Sequence, residues 1–177
     1  MNISESLLHW YSQNKRPLPW RETRDPYKIW LSEVILQQTR VAQGMDYYHR
    51  FLAAFPDVHR LAAADEQEVL KLWQGLGYYS RARNMHHTAK EVVEKHNGIF
   101  PQSSARLKTL KGIGDYTAAA ISSICFDEPI TVLDGNVARV ISRLYVIDIP
   151  FDSNKGKKTL TDLENKLLAT DHPGTFN

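Results

Sequence analysis

Two acidic residues far apart in the chain, Glu33 and Asp134, stand in settings that suit two different kinds of acid–base work. Glu33 lies in the stretch YKIWLSEVILQQT, Tyr27 to Thr39, and is the only ionisable residue between Lys28 and Arg40. On a helix it shares a face with Trp30 at i−3 and Gln37 at i+4. A carboxyl group beside tryptophan and aliphatic side chains loses hydration, which favours its neutral form and makes it a candidate general acid. A solvated Glu on an amphipathic helix explains the same pattern, and on local pattern alone it is the commoner case. Asp134 opens Asp134-Gly135-Asn136 before apolar helical spacing, which is an N-cap signature. The helix dipole favours a negative charge there, so a capping carboxylate could also steady a developing cation.

The stretch LKTLKGIGDYTAAAISSICFDEPITVLDGNVARV, Leu107 to Val140, reads as helix, tight turn, helix, loop and helix start. Gly112 and Gly114 flank the turn and leave backbone N–H groups uncovered where the next helix begins. Those donors and the partial positive charge of a helix N-terminus suit a phosphate oxygen. Asp134 follows Gly114 by twenty residues. Gly-x-Gly also occurs in ordinary turns, and three alanines at 118–120 fit close helix packing. A second junction, Trp73-Gln74-Gly75-Leu76-Gly77-Tyr78-Tyr79-Ser80-Arg81-Ala82-Arg83, combines two glycines, two tyrosines and two arginines. Flat rings and phosphate partners at a loop–helix junction suit insertion into a base stack. A helix C-cap followed by a solvated basic face, with one Tyr in the core, accounts for it equally well.

These groups need rigid elements to hold them, and nearly every segment carries helical periodicity. The spacing predicts an all-α chain with helices near 3–14, 26–37, 42–54, 58–63, 66–73, 78–96, 103–110, 115–125, 135–146 and 155–170. Only Ile147–Phe151 hints at a strand. Ser103 or Ser104 can cap the helix that follows. Length and a hydrophobic share of 42% allow one domain, or two small ones sharing a core. A net charge of +2 is too small to establish a nucleic-acid partner, so such a partner must rest on local placement. No apolar run reaches membrane-spanning length and no secretory leader pattern is present, so a soluble cytoplasmic or nucleoid-associated protein is expected. Cys125 is the sole cysteine, which excludes an internal disulfide or a multi-cysteine metal site. Adjacent His86 and His87 diverge on a helix and do not form a metal pair. Phe176 follows the Pro173 loop as if starting another element, so a natural continuation beyond Asn177 is expected.

Taken jointly, LPWRETRDPYKIWLSEVILQQTRV, FPDVHRLAAADEQEVLKLWQGLGYYSRARN, LKTLKGIGDYTAAAI and LDGNVARVISRL closely resemble the adenine DNA glycosylase family, within the helix-hairpin-helix DNA glycosylases. The resemblance covers essentially the whole chain. It implies a helical barrel at about 22–128 and a second helical lobe built from 1–21 and 129–177. It implies a monomeric enzyme that flips adenine, mispaired with 8-oxoguanine or guanine, out of double-stranded DNA and hydrolyses its glycosidic bond. By motif position, Glu33 would protonate the base and Asp134 would stabilise the sugar cation, with Tyr116 and Asn136 orienting and shielding them. Gln37 and Tyr78 would form the wedge beside the flipped base. Gln38, Thr39, Leu76 and Gly77 would contact DNA, and Gly112 and Gly114 would belong to the phosphate clamp. Arg16, Leu18, Trp20, Arg21, Trp30 and Val41 would line the adenine pocket or its rim. Tyr116 stands where endonuclease III-like relatives carry an imine-forming lysine, which implies a monofunctional glycosylase. Lys111 replaces a usual proline before the hairpin glycines, and Ala138 replaces a lysine found in some relatives. The family's 4Fe–4S cluster would be held by cysteines after Asn177, with no metal ligated within this chain. The competing readings are an endonuclease III-like enzyme for oxidised pyrimidines and a non-catalytic DNA-binding fragment.

Overall fold

Aspartate and asparagine side chains set where five of the eleven described α-helices begin. In a computed structural model describing residues 2–177, Asn2 and Glu5 form a capping box at the start of α1 (Ile3–Asn14). Asp25 accepts from the Tyr27 N–H at 2.9 Å and opens α2 (Pro26–Leu36), with Pro26 in the first turn. Then come α3 (Val41–Ala54), α4 (Val58–Ala63) capped by Asp57, and α5 (Glu66–Trp73) capped by Asp65. The long α6 (Ser80–His96) ends on Asn97 in the left-handed region. A short α7 (Ser104–Leu107) leads through the hairpin turn to α8 (Asp115–Phe126). Finally α9 (Gly135–Leu144) is capped by Asp134, α10 (Asn154–Leu167) by Ser153, and α11 (Pro173–Phe176) closes the described chain.

All described elements are helical, as the periodicity predicts, and several boundaries move. The 78–96 prediction begins at Ser80, which leaves Tyr78 and Tyr79 outside the helix. The helix predicted at 103–110 is the single turn α7. Ser103 occupies the cap position without a side-chain bond, and the Ser104 N–H is instead held by the Glu128 carboxylate at 2.7 Å. No strand forms at 147–151. The 3-10 turn Pro19–Arg21 was not anticipated.

The core gathers around α2. Seven of its eleven residues are buried: Tyr27, Ile29, Trp30, Leu31, Ser32, Val34 and Ile35. A helix apolar on nearly every side is enclosed by its neighbours, and α3, α8 and the Pro19–Arg21 turn pack on it. Ala118 to Ala120 on α8 allow close approach, while α6 carries α4 and α5 on its flank. Edge-on aromatic pairs fill the interior: Trp20 with Tyr48 at 5.1 Å and Phe51 with Trp73 at 5.9 Å between centroids. A separate, smaller cluster joins Ala138 and Ile141 of α9 to Leu160 of α10. The Ser4 hydroxyl donates to the Leu167 carbonyl and ties α1 to the chain's last third, where α1 also meets α11.

Candidate active site

Glu33 is the only acidic side chain on the largely apolar α2. Burial, above all, pushes its carboxyl group up from the usual range to about 7. The nearby Asp134 carboxylate pushes the same way, and a hydrogen bond from the Tyr116 hydroxyl pulls against both. Tyr116, on the first turn of α8, is 41% exposed at its outer edge. Burial and the charges of Glu33 and Asp134 make its own hydroxyl harder to ionise. Three elements therefore converge: α2 brings Glu33, the start of α8 brings Tyr116, and the start of α9 brings Asp134.

Asp134 is held rather than free. One carboxyl oxygen accepts from the Asn136 and Val137 N–H groups at 2.8 and 2.7 Å. The other accepts from the Asn136 side-chain amide at 3.1 Å, and Arg139 donates to the amide oxygen of Asn136 at 3.2 Å. Arg139 thus fixes the orientation in which Asn136 presents its NH2 to Asp134. Cap and charge carrier are the same group here. Behind it, Glu164 on α10 is only 2% exposed and has one carboxyl oxygen without a partner among the described residues. Burial pushes it up to about 7; a hydrogen bond from the Val132 backbone opposes this, the Asp134 charge adds to it, and Thr131 opposes it. The sequence reading missed Glu164, because its surroundings come from a segment thirty residues away and not from its own helix.

The other site residues fall into two groups. α2 ends at Leu36 with Gln37 as its C-cap, one residue short of the expected end, and Gln38 follows in the left-handed region at φ 57°, so Gln37–Thr39 is a loop. Facing it is the Leu76-Gly77-Tyr78 turn, with Gly77 at φ 69° and Tyr78 at φ 46°. Tyr78 is 66% exposed and Tyr79 is also exposed, so neither tyrosine belongs to the core, whereas Leu76 does. Arg81, read as a phosphate partner, points inward onto backbone carbonyls, and Arg83 pairs with Glu66 at 3.6 Å. Arg16 is exposed, Arg21 lies over the Tyr11 ring at 5.6 Å, and Val41 packs partly buried at the core's edge. Leu18 and Trp20 are buried, and Trp30 is 1% exposed against Phe100, so these three back the site from the interior and present no open face.

In the hairpin, Gly112 has φ 78° and Gly114 caps α8 with no side chain covering the helix start. Thr88 of α6 donates to the Lys111 carbonyl at 2.5 Å and anchors the turn. Lys111 itself is exposed. Ala138 is buried against α10, so it is a packing position in this structure and not a missing surface contact. His86 is buried with its ring nitrogen 3.0 Å from the Ala64 carbonyl, which accounts for its polarity. Burial is also what pushes the Cys125 thiol up to about 12. A 4Fe–4S cluster needs several thiolate ligands. One cysteine does not fit that donor set, and the described residues contain no group of three or more His, Cys, Asp or Glu placed to hold a metal ion.

A helix-hairpin-helix turn with an acidic residue twenty positions on, brought close to a second carboxyl group in an all-helical structure, fits the class of DNA-repair protein that the chain's similarities show. Residues 31–167 match the HhH-GPD superfamily of base excision DNA repair proteins, and the chain belongs to that superfamily. Within it, the chain is 44% identical to the adenine DNA glycosylase of Rattus norvegicus over 97% of its own length and 35% of the relative's. It is 45% identical to the adenine DNA glycosylase of Buchnera aphidicola subsp. Baizongia pistaciae, over 98% of this chain and 49% of that one. The chain thus spans between about a third and a half of these curated relatives. Among solved structures, a thermostable thymine-DNA glycosylase superposes with a TM-score of 0.88 at 25% identity, covering 99% of this chain and 81% of that one. An endonuclease III bound to DNA superposes with a TM-score of 0.76 at 23% identity, covering 98% and 81%, which is a likeness of fold.

Proposed function

We propose that this chain carries the catalytic part of a monofunctional adenine DNA glycosylase acting on adenine mispaired with 8-oxoguanine or guanine. The observation that carries the reading is a carboxyl group on a buried helix, raised to about 7, beside Tyr116 and the charge of a firmly capped Asp134. The curated relatives named as adenine DNA glycosylases support the base.

In this reading a mispaired adenine rotates out of the duplex, at less cost than a well-paired base. Protonated Glu33 donates to N7 of the adenine, and the glycosidic bond breaks with its electron pair passing to the base. The base leaves neutral instead of as an anion. The sugar gains oxocarbenium character, which the Asp134 carboxylate stabilises. Glu33, now a carboxylate, takes a proton from the water that adds to the sugar carbon. Asn136 and Arg139 hold Asp134 on its mark, and Tyr116 positions Glu33. Double-stranded DNA would lie across the groove between the barrel, about 22–128, and the helices from 1–21 and 129–177. Gln37 and Tyr78 would stand against the base stack, Gln38, Thr39, Leu76 and Gly77 beside them, and the 112–114 turn on a phosphate. The pocket rim is assigned to Arg16, Arg21 and Val41, backed by Leu18, Trp20 and Trp30. The protein is assigned as an intracellular monomer.

Single-turnover release of adenine from an adenine:8-oxoguanine duplex tests the reading. Glu33→Gln should cost about 10²–10⁴-fold in rate while DNA binding survives. Excision within tenfold of wild type removes Glu33 from the acid's role. No borohydride-trappable adduct should form, because tyrosine at 116 offers no amine for an imine.

A further inference from the structure

The Gln37–Thr39 loop and the Leu76–Tyr78 turn come from distant parts of the chain, yet one side chain holds both. The Arg81 guanidinium donates to the carbonyls of Val34 at 3.0 Å and Gln37 at 2.5 Å, closing the C-terminal end of α2. Its other terminal nitrogen donates to the Leu76 carbonyl at 3.2 Å. The same group lies 5.0 Å from the Trp73 ring and 5.7 Å from the Tyr78 ring. Planar geometry lets arginine serve several carbonyls and two rings at once, which an ammonium cannot. Trp73 adds its indole N–H to the Gly77 carbonyl at 2.8 Å. The two loops also share a strain: Gln38 and Tyr78 are side-chain-bearing residues at positive φ. Such conformations persist only where neighbours over-determine them.

We propose that Arg81 is a positioning residue that joins these two loops into one rigid wedge for opening the base stack. The inference rests on the glycosylase reading above. Prying a base step apart costs a few kcal/mol, and a wedge can deliver that only if it does not yield. Exposed Tyr78 is rooted through Arg81 in α2, the helix that carries Glu33, so the wedge and the acid move as one body. Arg81 is thereby committed to the protein's own backbone and does not serve a phosphate.

The test compares Arg81→Lys with wild type on two duplexes, one with adenine opposite 8-oxoguanine between ordinary neighbours and one in which the same adenine is flanked on both sides by abasic sites in its own strand. The second has no base step to be parted. Single-turnover excision of the stacked adenine should fall roughly tenfold to a hundredfold, while the unstacked adenine should be released within about threefold of wild type. The fluorescence rise of 2-aminopurine placed at the adenine position should fall with the first rate. Partial misfolding lowers the amplitudes on both substrates together and leaves the ratio of rates unchanged. Arg81→Gln should show the same pattern. In a Tyr78→Ala background, Arg81→Lys should add less than about twofold, because coupled residues are not additive. Equal losses on the two substrates overturn the proposal, as does an unchanged rate on the stacked adenine. So does weaker DNA binding with a shallower salt slope and an unchanged saturated rate, which is a phosphate contact's signature. If wild type releases adenine from neither duplex, it is the glycosylase reading that fails.

Discussion

Protonating a departing base near neutral pH requires an acid that still holds its proton there, and Glu33 at about 7 meets that need. Single-turnover excision should therefore run level at pH values below about 7 and fall close to tenfold per unit above it. A rate that stays flat to pH 9 removes Glu33 as the acid. At Asp134 charge and capping can be separated by substitution. Asn is as good an N-cap as Asp, so Asp134→Asn should keep α9 and lose excision. Asp134→Ala should lose excision and about 1 kcal/mol of stability as well, read by thermal unfolding with circular dichroism. The acid's neighbours on α2 were legible in the sequence, because Trp30 and the aliphatic run are local. Its pairing with Asp134, a hundred positions on, was legible only through the family resemblance, since no local spacing reports a charge brought in by another helix.

At the scale of elements, the hairpin glycines are unequal although the sequence treats them alike. Gly112 has a left-handed φ, and a Cβ there would come 2.8 Å from the Cβ of Asn84. Gly112→Ala should cost about 1–2 kcal/mol, seen as a lower Tm along with weaker DNA binding. Gly114 has an ordinary φ of −87° and open space where a Cβ would stand. Gly114→Ala should leave Tm unchanged and weaken duplex binding only, through the closer approach a phosphate would make. Equal losses of stability at both positions would contradict this division. The start of α9 was readable because Asp134 caps its own helix, whereas the Ser103 or Ser104 cap was misread because the Ser104 N–H is held by Glu128, twenty-four residues on. The inward turn of Arg81 was not readable, because its carbonyl partners at Val34 and Gln37 lie more than forty residues earlier.

For the whole molecule, two buried carboxyl groups set a pH dependence of folding. Glu33 and Glu164 are both near 7 in the folded chain against 4.5 for a free carboxyl group, so the folded state binds their protons more tightly. Their contribution is complete below about 4.5 and is lost as pH rises through about 7, on the order of 1–3 kcal/mol for each. Buried His86 has the opposite sign: its lowered pKa means stability is lost as pH falls through its unfolded value of about 6.5. Tm should therefore be lower at pH 8 than at pH 6, and the double variant Glu33→Gln with Glu164→Gln should remove most of that drop. A double variant that keeps the drop would place its origin elsewhere. Ile3, Leu7 and Trp10 on α1 and Val140 and Leu144 on α9 are exposed apolar side chains in a chain spanning a third to a half of its relatives.

Cys125, alone of its kind and with its thiol displaced to about 12, holds almost no thiolate at neutral pH. The native protein should thus ignore iodoacetamide for as long as it stays closed and take up a single adduct when it opens. Mass spectrometry of that one label would clock the spontaneous opening of α8 without any engineered probe.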